Sequence, residues 1–156
     1  KSDIEVKWPN DLLLAGHKVA GILTEWCAAE GHGAIVMGVG LNVSIRREDF
    51  PTEIQGRASS LFGDGQPEST IKSILDVFVS EMGTLLSVTQ RQGRVDMDLV
   101  VERMNLGRGV LFVDGVSQVR GSVIGLSEDG SLRLRTEDGK EKVILAGDVL
   151  PLEWEG

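Results

Sequence analysis

A chain of 156 residues, 41 % of them apolar, can form one ordinary domain, or a small one followed by a very small one, around a real core. With no Tyr, three Trp and four Phe, that core must be mostly aliphatic, and a single cysteine, Cys27, excludes an internal disulfide or a cysteine-rich metal site and suits a reducing cytosol. A net charge of −8 argues against a general binder of nucleic acid or membrane, whose phosphates would repel it, but leaves room for a local basic pocket.

No apolar run approaches the roughly 20 residues of a membrane span. No basic stretch leading into an apolar one suggests a signal peptide. Lys1 stands where a Met would begin a chain, and strand-like residues start at Ile4, so the expectation is a piece of something longer.

Alternation of Ile4, Val6 and Trp8 predicts a first strand. Pro9-Asn10-Asp11 interrupts it, Leu12-Leu13-Leu14 resumes extended chain, and Ala15-Gly16-His17 turns it. A second strand is expected over 18–26, a loop over 30–33 and a third strand over 34–43; short turns between them suggest an antiparallel meander. Residues 44–68 carry charge, Pro and Gly and read as a long loop, a kind often functional in compact domains. Ser69 or Thr70 then caps a helix whose Ile71, Ile74, Leu75, Phe78, Met82, Leu85 and Leu86 form one face, with Gly93 ending it. A weaker helix over 96–104 turns Leu99, Val100 and Met104 inward.

At Gly107 the pattern changes to short β runs, 109–113, 117–124, 131–135 and 141–145, separated by Asp114-Gly115, Asp129-Gly130 and Asp138-Gly139. Asp-Gly favours hairpins because the turn needs positive φ. Four or five strands in this space suggest a small closed barrel of SH3-like size. The boundary falls near 105–108, dividing the chain into residues 1–106 and 107–156.

Lys7 and Lys18 lie among apolar residues on consecutive strands. Burying an ammonium costs several kcal/mol unless it is paired, so each either points to water on a two-faced sheet or serves an anion site. Asn10 and Asp11 make either a plain turn or a polar pair at a site edge. Gly21, Gly38 and Gly40 sit inside strands, where glycine marks a bulge or a close approach; three in neighbouring strands favour a ligand lying flat on the sheet. Gly38-Val39-Gly40 is no dinucleotide fingerprint, since the third glycine and following helix are missing. His17 and His32 fall in turns without partners at metal-ligand spacing, and Arg46-Arg47-Glu48-Asp49 reads as a solvated loop.

Lys7-Trp8-Pro9-Asn10-Asp11, Lys18-Val19-Ala20-Gly21-Ile22-Leu23 and Gly38-Val39-Gly40-Leu41-Asn42-Val43, in this order and spacing, resemble the biotin protein ligase family. Ala58-Ser59-Ser60-Leu61, the helix and the small β unit follow in the family's order, so the resemblance spans essentially the whole chain. It implies an α+β fold: the C-terminal portion of a class II synthetase-like catalytic domain, with a partial antiparallel or mixed sheet and helices, then an SH3-like barrel. It further implies coupling of biotin to ATP as biotinyl-5′-AMP, with transfer to a lysine of a biotin carboxyl carrier protein. Lys18 matches the essential lysine, and Gly21 and Leu23 the strand beside biotin. Lys7, Asn10, Asp11, Gly40 and Asn42 match the adenylate side. Mg²⁺ would come with ATP, with Asp11 as the metal-facing carboxylate.

The acidic balance and the lack of a long apolar run lead to the expectation of no nucleic-acid contact from this segment and no membrane insertion, a cytoplasmic location is expected, and the resemblance leaves open a homodimer through an exposed sheet edge. One departure matters. The family's Gly- and Arg-rich loop lies upstream of the lysine–tryptophan motif, and this chain has none there. Half a site is expected, inactive alone. A lipoate-type ligase and a non-catalytic binding or regulatory module are the alternatives.

Overall fold

The computed structural model describes residues 4–29, 32–63, 65, 70–113 and 118–152. Its element order is β1 (Ile4–Lys7), β2 (Asp11–Leu14), β3 (His17–Ala29), β4 (His32–Leu41), α1 (Ile71–Gln92), α2 (Asp98–Val101), β5 (Gly109–Val113), β6 (Gln118–Leu126), β7 (Leu132–Thr136), β8 (Glu141–Ile144) and β9 (Asp148–Pro151). The fold is α+β. The first four strands form an antiparallel sheet in sequential order, and the last five a second antiparallel sheet ordered β8-β7-β6-β5-β9.

The meander is tighter and longer than the sequence suggests. Ala15 and Gly16 both take positive φ, 49° and 81°, as a two-residue hairpin turn requires, and His17 already belongs to β3. The strand runs on to Ala29, and β4 begins at His32, so His32 and Gly33 are strand rather than loop; Glu30 and Gly31 lie outside the described residues. In the second sheet, Gly130 and Gly139 take φ of 83° and 81° in the expected Asp-Gly turns, while Asp114-Gly115 lies outside the described residues.

The second sheet holds the better core. Val110, Phe112, Val123, Leu132, Leu134, Ile144 and Val149 pack together, each buried. Trp8 joins them from the end of β1: it is 8 % exposed, and its Nε1–H donates to Gly130 O at 3.0 Å. The sequence places Trp8 on the first sheet's alternation; its side chain is sunk in the second sheet's core. Val6 N–H to Arg103 O (2.8 Å) and Arg108 to Glu5 (3.4 Å) dock the same strand further.

Among the described residues, the carboxyls held below their ordinary values belong to the second sheet's turns and to β8. Asp129 accepts the Ser131 backbone N–H, Asp138 is paired with Lys140, and Glu141 is clasped by Arg133.

Helix α1 is capped as expected. Thr70 Oγ1 accepts from Ser73 N–H at 3.2 Å, and Gly93 closes it in the left-handed region at φ 69°. Ser69 lies outside the described residues. The periodicity is correct, but the face it marks is not buried: α1 contains no buried residue, and Ile71, Leu75, Phe78, Leu85 and Leu86 are exposed. Helix α2 is shorter than the sequence suggests, and Leu99, expected inward, is exposed, whereas Met104 packs against the second core. A Met side chain is long enough to reach that core from a bend; Leu99 lies on the turn's outer side. Among the described residues no helix is long and apolar enough to cross a membrane.

Candidate active site

Strand register brings one carboxylate between two ammonium groups. Lys7 pairs with Asp11 across the β1–β2 hairpin, and Asp11 with Gly21 across β2–β3. Cross-strand partners share a face, so Lys7, Asp11 and Gly21 look the same way. Asp11 Oδ2 lies 3.2 Å from Lys7 Nζ, and Oδ1 2.5 Å from Lys18 Nζ. Asp11 is buried, the Lys7 side chain is 14 % exposed and that of Lys18 46 % exposed. With two lysines to one aspartate the cluster carries excess positive charge. Lys18, the more open arm, can swing from Asp11 to an incoming anion.

Lys18 reaches this face because of a bulge. Leu12 pairs with Ala20 and Leu13 with Lys18, which leaves Val19 as an extra residue on β3. Simple alternation would put Lys18 and Gly21, three apart, on opposite faces; the inserted residue reverses that. A Cβ placed on Gly21 would stand 3.3 Å from Lys18 Nζ and 3.5 Å from Asp11 Oδ1. The backbone of Lys18 is then clamped by the long loop: its N–H donates to Arg57 O (2.7 Å), and its carbonyl accepts from Ser59 N–H (2.9 Å).

That loop folds back over the sheet. The buried Ser60 hydroxyl donates to Ile45 O (2.9 Å) and accepts from Ile45 N–H (3.1 Å), fastening the loop's two arms. Between loop and sheet lies a cleft of about 860 Å³. Lys18, Gly21, Gly40 and Asn42 line one side; Ile45, Phe50 and Ile54 are on the other. Gly40 pairs with Gly21, and a Cβ there would meet only Gly21 O, at 3.9 Å, so the floor is open to a flat ligand.

The remaining predicted residues divide. Leu23, two residues beyond Gly21, shares its face by alternation but is 61 % exposed and outside the cleft. Asn10 pins the β1–β2 turn to β3: its Nδ2 donates to Ile22 O (2.8 Å) and its carbonyl accepts from Ile22 N–H (2.9 Å). Asn42 lies just past β4; its Nδ2 donates to Ser59 O (3.0 Å), fixing the loop beneath the cleft. Lys7 and Asp11 adjoin the cleft through Lys18 rather than lining it. Both oxygens of Asp11 face lysines, and among the described residues no group of three His, Cys, Asp or Glu could hold a metal.

The sequence reading missed the apolar wall. Ile45, Phe50 and Ile54 stand in a non-periodic loop, and a Phe following the charged run 46–49 was the one available signal; the structure buries it. The whole arrangement suits an amphiphilic acid: an anionic end at Lys18 and an apolar or planar body between glycines and the Phe50 side.

Comparisons with known proteins match both ends of the chain. Residues 1–42 match the family described as biotin/lipoate A/B protein ligase, and residues 106–150 match the biotin protein ligase C terminal domain. The chain is 31 % identical over 151 residues to the bifunctional ligase/repressor BirA of Bacillus spizizenii, covering 91 % of this chain and 45 % of that protein. It is 30 % identical over 149 residues to the biotin–[acetyl-CoA-carboxylase] ligase of Mycobacterium tuberculosis, covering 94 % and 53 %. The chain thus spans about half the length of these relatives. Among solved structures, apo biotin protein ligase from Aquifex aeolicus superposes with a TM-score of 0.76 at 28 % identity, covering 94 % of this chain and 63 % of that one. The same enzyme in complex with biotin and ATP gives 0.72 at 29 %, covering 94 % and 60 %. Motif order, backbone course and the match of both ends agree: the chain belongs to the biotin protein ligase family.

Proposed function

We propose that this chain supplies the lysine-bearing part of a ligase that activates biotin with ATP and passes it to a lysine of a biotin carboxyl carrier protein. The observation that carries the reading is the Lys18 amine held over Gly21 at the mouth of an apolar cleft. The biotin carboxylate oxygen attacks the α-phosphorus of ATP, a new C(O)O–P bond forms, and pyrophosphate leaves. Two anions must meet, and an ammonium between them offsets their repulsion and stabilises the charge that develops. The carrier lysine amine then attacks the mixed anhydride; an amide forms, AMP leaves, and the amine's proton passes to solvent. Lys18 can polarise the anhydride carbonyl in that step.

In this reading Gly21 and Gly40 give the backbone close access, and Asn10 and Asn42 hold the turn and loop that frame the ligand. Leu23 extends the biotin side, and Lys7 with Asp11 fixes Lys18 between turnovers. Magnesium would travel with the triphosphate, and its charge would assist the departure of pyrophosphate. Asp11, engaged by both lysines, is a poor ligand for it, so no step is assigned to a metal held by this chain. The parts are residues 1–106 for the ligase chemistry and 107–156 as a barrel-like unit. We place the reaction in the cytoplasm, with self-association along the outer edge of β4.

The test is single-turnover formation of labelled biotinyl-AMP by the complete protein, with biotin and lipoate in competition. Preference for biotin and dependence on Lys18 support the proposal. Preference for lipoate would move it to the neighbouring ligase class. Carrier binding that survives Lys18→Ala in a protein without turnover would make it a binding module.

A further inference from the structure

The lysine–tryptophan motif is split between two parts of the molecule. Its charged residues face the candidate site, while its tryptophan is packed in another sheet. Lys7 ends β1 and Trp8 opens the turn that follows, and their side chains go to different places. Lys7 meets Asp11 at 3.2 Å, and Asp11 meets Lys18 at 2.5 Å. Trp8 is 8 % exposed in a cluster whose other buried members all belong to the second sheet, and its indole donates to Gly130 O, 122 residues away, at 3.0 Å.

A hairpin this short is a stiff lever. Only Pro9 and Asn10 separate Trp8 from Asp11, and Asn10 is tied to Ile22 by two hydrogen bonds. The side chain with the largest buried surface in this turn is thus anchored outside the sheet that bears the site. Glu5–Arg108 and Val6–Arg103 lie along the same docked strand but upstream of Lys7, and they do not grip the turn itself.

We infer that Trp8 is a positioning residue through which the core of the second sheet sets the place of the Lys7–Asp11–Lys18 cluster, and through it the adenylate-forming step. The inference rests on the ligase reading for its second half only. The second sheet is then part of the site's scaffold whether or not it touches a ligand.

The experiment uses the complete protein and two readouts. The first is competitive acylation of lysine amines by acetic anhydride, read residue by residue by mass spectrometry, with exposed Lys72 as the internal reference. The second is single-turnover biotinyl-AMP formation at saturating biotin and ATP. Trp8→Phe retains most packing and loses the bond to Gly130. Leu111→Ala removes buried volume from β5 outside the Trp8 cluster, and serves as the control for simple loss of stability. Both are assayed well below their melting temperatures.

Trp8→Phe should raise the acylation of Lys7 and Lys18 severalfold relative to Lys72. It should also lower kcat about tenfold with KM little changed, the scale of a sub-ångström misplacement of a reacting group. Leu111→Ala should do neither. If both variants change lysine labelling alike, or if neither does, the coupling is refuted. If labelling shifts in Trp8→Phe alone but the parent forms no adenylate, the coupling stands and the ligase reading falls.

Discussion

Gly21→Ala separates catalysis from stability. The new methyl would stand 3.3 Å from Lys18 Nζ, 3.4 Å from Lys18 Cε and 3.5 Å from Asp11 Oδ1. Ordinary contacts of this kind lie at about 3.5–4.0 Å, so the tip of Lys18 must retreat by roughly 0.3–0.5 Å. A long side chain yields that distance without disturbing the backbone, and alanine relieves the entropic penalty of glycine in a strand by about 0.5–1 kcal/mol. The ion pair with Asp11 is half-open to solvent, and its loosening costs at most about 1 kcal/mol. Net stability should therefore change by less than about 1 kcal/mol in either direction.

Catalysis is less forgiving. A misplacement of about 1 Å costs up to about 100-fold, so a shift of half that corresponds to about tenfold, or roughly 1.4 kcal/mol of barrier. Urea melts and single-turnover biotinyl-AMP formation on the same preparation measure the two quantities. Unchanged adenylate formation in Gly21→Ala, set against its loss in Lys18→Ala, would mean that the amine works from some other position than over Gly21. Parallel losses of rate and stability would mean that the glycine is needed for folding, not for access.

Lys18→Ala should lower adenylate formation by about 100-fold or more and change stability by less than about 0.5 kcal/mol; full activity removes this amine from the mechanism. Phe50→Ala strips the cleft's aromatic wall and should raise KM for biotin or ATP by about tenfold with kcat largely kept; if neither KM moves, the ligand lies elsewhere. Ala15→Asn should raise Tm, worth about 0.5–1 kcal/mol, because asparagine tolerates the left-handed backbone that Ala15 adopts at φ 49°. Asp129, Asp138 and Glu141 have carboxyls lowered from 3.8, 3.8 and 4.5, so their contribution is complete above those values and is lost as pH falls through the lower folded ones. Melting followed from about pH 6 to about pH 3 should thus show the second sheet weakening on the acid side, and Glu141→Gln should flatten that limb.

Much of the second sheet was legible because its signals are local. Glycines at 130 and 139 fix turns by positive φ, and the strands between them follow within a residue or two. The glycine-bearing strands and Lys18 stood out as a candidate site by coincidence of rare choices, an amine and three glycines on neighbouring strands, and the cleft brings Lys18, Gly21 and Gly40 together. Trp8 was not, since alternation reports that a side chain leaves one face without saying which core receives it. The bulge at Val19 was equally silent, yet it decides where Lys18 points. The seven apolar positions of α1 marked a true helix face, and periodicity could not tell that none of them is buried among the described residues. Phe50 and its neighbours escaped because cleft walls built from loops carry no period.

The long strand β4 governs how this chain behaves in a tube. Trp26, Ile35, Met37 and Val39 stand in a greasy row on one side of the first sheet, beside a ten-residue strand with no neighbour on its outer edge among the described residues. Such surfaces adhere to one another. The charge of −8 is the main brake on clumping, and added salt weakens that brake. Dilute, low-salt buffers should therefore keep these residues dispersed, whereas concentrating them in strong brine should bring them out of solution.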